Sequence, residues 1–123
     1  MSRTILVIDD SPTIVKFVSF SLKNRGYHVV GASDGMDAIE KMSHMSEEVH
    51  LIITDLNMPN LDGYGLIEAV RQNEKHRNTP IIILTSVDGD NDRERGMSVG
   101  ASSYLVKPFK SERLLSEVSK YLK

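Results

Sequence analysis

Cysteine and tryptophan are absent from the 123 residues, and only three Phe and four Tyr are present. Without cysteine there is no disulfide and no thiolate metal site, which suits a reducing compartment such as the cytoplasm. An excess of one charge is also missing, since 15 Lys and Arg against 17 Asp and Glu leave a formal charge of −2. Non-specific nucleic-acid affinity rests on clustered cations, so no direct nucleic-acid partner is expected. No apolar run approaches the roughly 18 residues that mark a membrane span. The start, "MSRTILVIDDSP", has too short an apolar stretch for a secretory signal, so no membrane insertion is expected. Repeats, linkers and low-complexity segments are lacking, and the length suits one compact domain over 1–123.

What is present is an alternation of two periods. "TILVI" (4–8), "HVVGA" (28–32), "LIIT" (51–54), "IIILT" (81–85) and "SYLV" (103–106) are short, rich in β-branched residues and bounded by Gly, Pro or Asp, so they read as strands. The first, third and fourth are continuously apolar, the pattern of parallel strands covered on both faces. Between them, Ile14, Val15, Phe17, Val18 and Leu22 make one helical face, with cap and first-turn signals at Asp10, Ser11 and Pro12 and a stop at Gly26. Leu114, Leu115, Val118, Tyr121 and Leu122 form a second stripe, and shorter helices fit 35–45, 63–73 and 90–99. The helix at 90–99 has only Met97 and Val99 as large apolar residues and carries Gly96 inside it, which predicts weak intrinsic stability. The whole is a (βα)5 domain with a doubly wound parallel sheet.

Ligands of such sheets sit in the crevice beyond the strand carboxyl ends. Here those ends are unusual: Asp9 and Asp10 after the first strand, Asp55 after the third, Thr85 and Ser86 at the fourth, and Lys107 with Pro108 after the fifth. Taken singly, Asp10 and Asp55 read as a helix cap and a loop acid, Thr85 as a strand-end hydroxyl and Lys107 as a surface lysine. In the strand order 2-1-3-4-5 they converge, and that coincidence marks a site. Two unit charges about 4 Å apart repel by roughly 4 kcal/mol at an effective dielectric near 20, so three carboxylates call for a cation. The donors are hard oxygens, and His28, His44, His50 and His76 lie away from strand C-termini, which favours Mg²⁺ over zinc. A carboxylate can attack phosphorus to give an aspartyl phosphate. Asp55, flanked by the first and fourth strands, is the natural acceptor, with Asp9 and Asp10 as metal holders.

"VIDDSP", "TDLNMPNLDG", "ILTS" and "GASSYLVKPF" together resemble the receiver domain of two-component response regulators over nearly the whole chain. That resemblance implies a flavodoxin-like (βα)5 fold, a single receiver domain with no output domain, and a signalling switch that catalyses only its own phosphorylation and dephosphorylation. By resemblance, Asp55 accepts phosphate, Asp10 binds Mg²⁺ directly, Asp9 helps partly through water, and the carbonyl of Asn57 completes the protein ligands. Mn²⁺ is able to replace Mg²⁺. Thr85 hydrogen-bonds the phosphoryl group, Lys107 pairs with it, and Tyr104 turns inward as Thr85 moves. The Lys107–Pro108 bond is expected to be cis. Pro59 is read as stiffening the acceptor loop, and Gly63 as supplying a positive φ.

The implied partners are a histidine kinase and a downstream protein that reads the face of the fourth helix, fifth strand and fifth helix, with Met97, Tyr104, Phe109 and Lys110 as candidates. "DDSPT", "DGMDAIEKM" and "DLNMPNLDG" are most similar to stand-alone chemotaxis regulators, which carry phosphate to the flagellar motor switch. A phosphorelay intermediate passing phosphate to a histidine phosphotransferase has the same active site. In the family, the positions two beyond the acceptor and two beyond the threonine tune phosphate loss. Here they are Asn57 and Val87, and Val87 offers no polar atom, which implies slow self-dephosphorylation. Asp88 and Arg93 depart from the apolar residues that chemotaxis members often place early on this face. A phosphohydrolase of the haloacid-dehalogenase type also uses a nucleophilic Asp with Mg²⁺, but needs an acid two residues later, where this chain has Asn57. "DGDNDRERGMSV" (88–99) begins like a calcium loop, then places Arg93 where glycine and Val99 where glutamate are required, so it is no such loop.

Overall fold

The structure is a computed structural model and describes residues 3–122. Five strands, β1 (Thr4–Ile8), β2 (His28–Ala32), β3 (Leu51–Asp55), β4 (Ile81–Thr85) and β5 (Ser103–Val106), alternate with α1 (Pro12–Lys23), α2 (Gly35–His44), α3 (Gly63–Gln72), α4 (Asp90–Val99) and α5 (Ser111–Ser119). All strand pairs are parallel and the order is β2-β1-β3-β4-β5. The expected architecture is therefore the one observed.

Alternation along each buried strand sends side chains into two cores, because successive Cβ atoms point to opposite faces. Leu6, Ile8, Ile52, Ile81 and Ile83 pack with Ala38 and Met42 of α2 and Leu66, Ile67 and Val70 of α3. Ile5, Val7, Leu51, Ile53, Ile82, Leu84 and Leu105 pack with Val18 and Leu22 of α1 and Leu114 and Val118 of α5. The continuously apolar run of a central strand thus feeds both layers at once. Thr54, fully buried in β3, satisfies its hydroxyl by donating to the carbonyl of Asp55 at 2.8 Å.

Three local details differ from the sequence reading. Ser11, not Asp10, caps α1: its hydroxyl accepts from the Ile14 amide at 3.4 Å, while Asp10 is exposed and uncommitted to the helix. Gly63 does not take a positive φ; that conformation falls to Asn60, at φ 69°. The reason for glycine at 63 is close approach, since a Cβ there would lie 2.4 Å from the carbonyl oxygen of Asp55. Gly96, read as a weakness in α4, is likewise a contact point, where a Cβ would meet Ile83 at 2.6 Å. It is the one buried residue of α4, a helix without a side-chain N-cap bond.

Candidate functional site

Register carries the strand-end residues to one place. Ile8 pairs with Thr54 and Asp55 with Leu84, so Asp9 and Asp55 leave neighbouring strands at nearly the same height. Carboxylate oxygens of Asp9, Asp10 and Asp55 all lie within 4.8 Å of one another. Burial differs sharply among them: the Asp9 side chain is 1% exposed, that of Asp55 is 14% exposed, and Asp10 is open.

Each group is fixed from a different direction. Asp9 accepts from the Ser11 amide at 2.9 Å, at the turn into α1, and from the Lys107 ammonium at 3.1 Å. Lys107 also lies 3.4 Å from Oδ1 of Asp55. The same Oδ1 accepts from the Leu56 amide at 2.9 Å, which leaves Oδ2 of Asp55 without a protein donor among the described residues. Burial and then the Asp9 carboxylate hold the Asp55 pKa above its ordinary value, against the opposing pull of Lys107. The cluster is thus electrostatically unfinished, with three acids and one ammonium in partial seclusion.

The acceptor loop is tied down from behind. Gly63 donates its amide to the Leu56 carbonyl at 2.9 Å, and the Asn60 side chain donates to Asp34 at 2.7 Å. Asp34 also caps α2 by accepting from the Asp37 amide at 2.8 Å, and these bonds hold its carboxyl below the usual range. Pro59 and Asn57 are exposed in this loop, and the Asn57 carbonyl accepts no hydrogen bond among the described residues. Gly63→Ala is expected to destabilise the fold by about 2–3 kcal/mol, because the clash is with backbone that cannot rotate away. Chemical denaturation measures it, and a variant of wild-type stability would refute it.

Thr85 is buried, and among the described residues its hydroxyl accepts only from Arg93, at 3.5 Å. Tyr104 is 42% exposed, with its ring on the surface beside Arg93. The Lys107–Pro108 bond is cis, as expected. Phe109 packs its ring 6.0 Å from that of Phe17 on α1, so it faces α1 as well as β5. Met97 and Lys110 are exposed on the α4 and α5 sides. Asn60, Asp34 and the Arg93 contact escaped the sequence reading; "PNLDG" contained the one signal, an Asn suited to positive φ.

An all-oxygen anionic cluster at the end of a parallel sheet fits a hard divalent cation. Asp9, Asp10 and Asp55, each offering an oxygen within 4.8 Å of the others, would hold such an ion. Residues 5–119 match the response regulator receiver domain. The chain belongs to that family. Receiver domains are signalling switches that interact with histidine kinases and bind Mg²⁺ at an aspartate cluster. The receiver is 38% identical over 118 residues to protein PilG of Pseudomonas aeruginosa, a match covering 96% of this chain and 86% of PilG. It is also 38% identical to the probable transcriptional regulator ycf27 of Porphyridium aerugineum, but spans only 48% of that protein. Among solved structures, the chemotaxis response regulator CheY4 of Vibrio cholerae is 36% identical with a TM-score of 0.91, over 99% of the receiver and 100% of CheY4. A response regulator of Chloroflexus aurantiacus superposes at 0.93 with 30% identity, over 99% of the receiver and 98% of that chain.

Proposed function

We propose that this receiver is a phosphorylation-activated switch in which Asp55 takes a phosphoryl group from a histidine kinase. The observation that carries the reading is the convergence of Asp9, Asp10 and Asp55, two of which, Asp9 and Asp55, share the Lys107 ammonium, with an Asp55 oxygen left open. Asp9, Asp10, Asp55 and the Asn57 carbonyl would hold Mg²⁺, whose positive charge would offset that of the carboxylates and the incoming phosphoryl oxygens. The Asp55 oxygen attacks phosphorus; the new P–O bond forms as the P–N bond of phosphohistidine breaks. The departing imidazole takes a proton from water, and the ionised carboxylate has none to lose. Lys107 pairs with the transferred group, and the Thr85 hydroxyl turns to donate to it. Tyr104 follows Thr85 inward and changes the α4–β5–α5 face that a partner reads.

The setting favoured is chemotaxis-type signalling, supported by full-length similarity to CheY4. The polar Asp88 and Arg93 on this face favour, as a second reading, a phosphorelay intermediate. A histidine phosphotransferase that strips the phosphate marks the relay, and phosphate-dependent binding of a motor-switch peptide marks chemotaxis. The core proposal is tested by incubation with acetyl phosphate and Mg²⁺ followed by intact mass. One added phosphoryl group, prevented by EDTA, is expected, and no addition refutes the reading. Val87 is 67% exposed beside Ser86 and the end of β4, open to the water that would hydrolyse the phosphate. Val87→Glu is therefore expected to shorten the phosphoryl lifetime about tenfold by orienting that water, less than the roughly 10²–10⁴-fold of a fully positioned acid or base. A decay of the mass signal no faster than wild type would disprove it.

A further inference from the structure

Arg93 is out of place. Arginine is almost never buried without a partner, and α4 presents an otherwise polar exposed surface, yet the Arg93 side chain is only 15% exposed. Its guanidinium donates to the Ser86 carbonyl at 3.0 Å and to the Thr85 hydroxyl at 3.5 Å, and it pairs with Asp90. Its flat face stands 5.4 Å from the centre of the Tyr104 ring, within cation–π range. One side chain therefore touches both residues assigned to the switch, and the Thr85 hydroxyl has no other hydrogen-bond partner among the described residues.

We infer that Arg93 is a positioning residue that holds Thr85 and Tyr104 in the resting arrangement and so sets the threshold of the switch. The inference rests on the reading of Asp55, Thr85 and Tyr104 given above. α4 follows Gly89 with no side-chain cap, and Arg93 ties its first turn back to the β4–α4 loop by donating to the Ser86 carbonyl. The Thr85 hydroxyl can accept from Arg93 and still donate, so the latch opposes displacement: movement of Thr85 toward Asp55 stretches the 3.5 Å bond, and Tyr104 turning inward leaves the guanidinium. The bond to Thr85 is long and hence weak, so the latch yields to a phosphoryl group instead of blocking it. A second anchor, independent of the switch, stays in place: the Tyr64 hydroxyl donates to Asp92 at 2.9 Å and Arg95 lies 3.9 Å over the Tyr64 ring. Release of Arg93 thus frees the β4–α4 loop at Ser86 while α4 stays tied to α3 through Tyr64 and Asp92.

The test is a titration of the full chain with beryllofluoride, a phosphoryl mimic, in the presence of Mg²⁺. Tyr104 is followed by ¹⁹F NMR of 3-fluorotyrosine protein, its signal assigned with Tyr104→Phe. Arg93→Ala is expected to lower the half-saturating concentration about three- to tenfold and to move the resting Tyr104 signal toward its saturated position. Arg93→Lys keeps the charge and stem, folds as wild type, and loses the flat fork, so it falls between. Arg93→Ala and Arg93→Lys curves that overlay wild type overturn the inference. So does a Ser98→Gly variant, which weakens α4 from its exposed face, if it shifts Tyr104 equally. A wild-type chain that ignores beryllofluoride overturns both this inference and the assignment of Asp55; a responsive wild type with unresponsive Arg93 variants overturns the role of Arg93 alone.

Discussion

Asp55→Asn is expected to take up no phosphoryl group from acetyl phosphate, yet to unfold at a higher temperature than wild type near neutral pH. The first half follows from chemistry, since an amide oxygen is no nucleophile toward phosphorus at ordinary pH. The second follows from the electrostatics of an unfinished cluster. Burial and the neighbouring Asp9 raise the Asp55 pKa, against the opposing effect of Lys107. A raised carboxyl pKa stabilises the fold below the ordinary value of 3.8, and that contribution disappears as pH rises through the raised value. Above it, charged Asp55 is a cost that asparagine removes. The gain should be about 1 kcal/mol near neutrality, the usual scale when strain at a functional site is relieved. It should vanish in acid. Intact mass and thermal melts across pH check both halves, and a variant that is both labelled and no more stable would end the assignment of Asp55.

Lys107→Ala should have the opposite effect on stability. The ammonium lies 3.1 Å from Asp9 and 3.4 Å from Asp55, in a setting where Asp9 is almost sealed from water. Breaking a buried pair by removing one partner costs about 3–5 kcal/mol; with Lys107 itself 28% exposed, about 2–3 kcal/mol is expected without metal. The deficit should depend on pH with a defined sign. Loss of Lys107 removes the influence that lowers the Asp55 pKa, so that pKa climbs further. The penalty is then small in acid, where Asp55 is protonated, and grows as pH rises through the elevated value. Mg²⁺ should restore part of the loss by ligand linkage, because it supplies positive charge to the same oxygens in the folded state alone. Denaturant melts with and without Mg²⁺ at several pH values decide it. A deficit independent of both would show that Lys107 acts through packing alone.

Strand boundaries and sheet order were legible in the sequence because continuous β-branched runs between helical periods leave few alternatives for a parallel sheet. Convergence of Asp9, Asp10, Asp55, Thr85 and Lys107 was legible for a related reason. Each ends a strand, and topology alone brings strand ends together. What escaped reading depends on neighbours far away in sequence. Whether Ser11 or Asp10 caps α1 turns on which side chain reaches Ile14, and both are good cap residues. Glycine at 63 serves the Asp55 carbonyl rather than its own φ, and local pattern does not distinguish the two uses. Asn60 reaches Asp34 across 26 positions. Arg93 was visible only as a departure from apolar expectation, because the partners that explain it lie on β4 and β5.

The uneven burial of β3 and α4 has a kinetic meaning. Asp55 belongs to the middle strand of the sheet, hydrogen-bonded on both sides, and amides of such core strands are expected to exchange with solvent mainly on global opening. The helix beside the switch is held by Gly96, Arg93 and a tyrosine clamp, and such an element opens on its own, many times for each global unfolding. On the proposed reading, a phosphate on Asp55 would be written into the part of the molecule expected to exchange most slowly and displayed by one expected to open readily. A partner that samples α4 would be answered within its local fluctuations, while the mark that biases them would stay on the central strand.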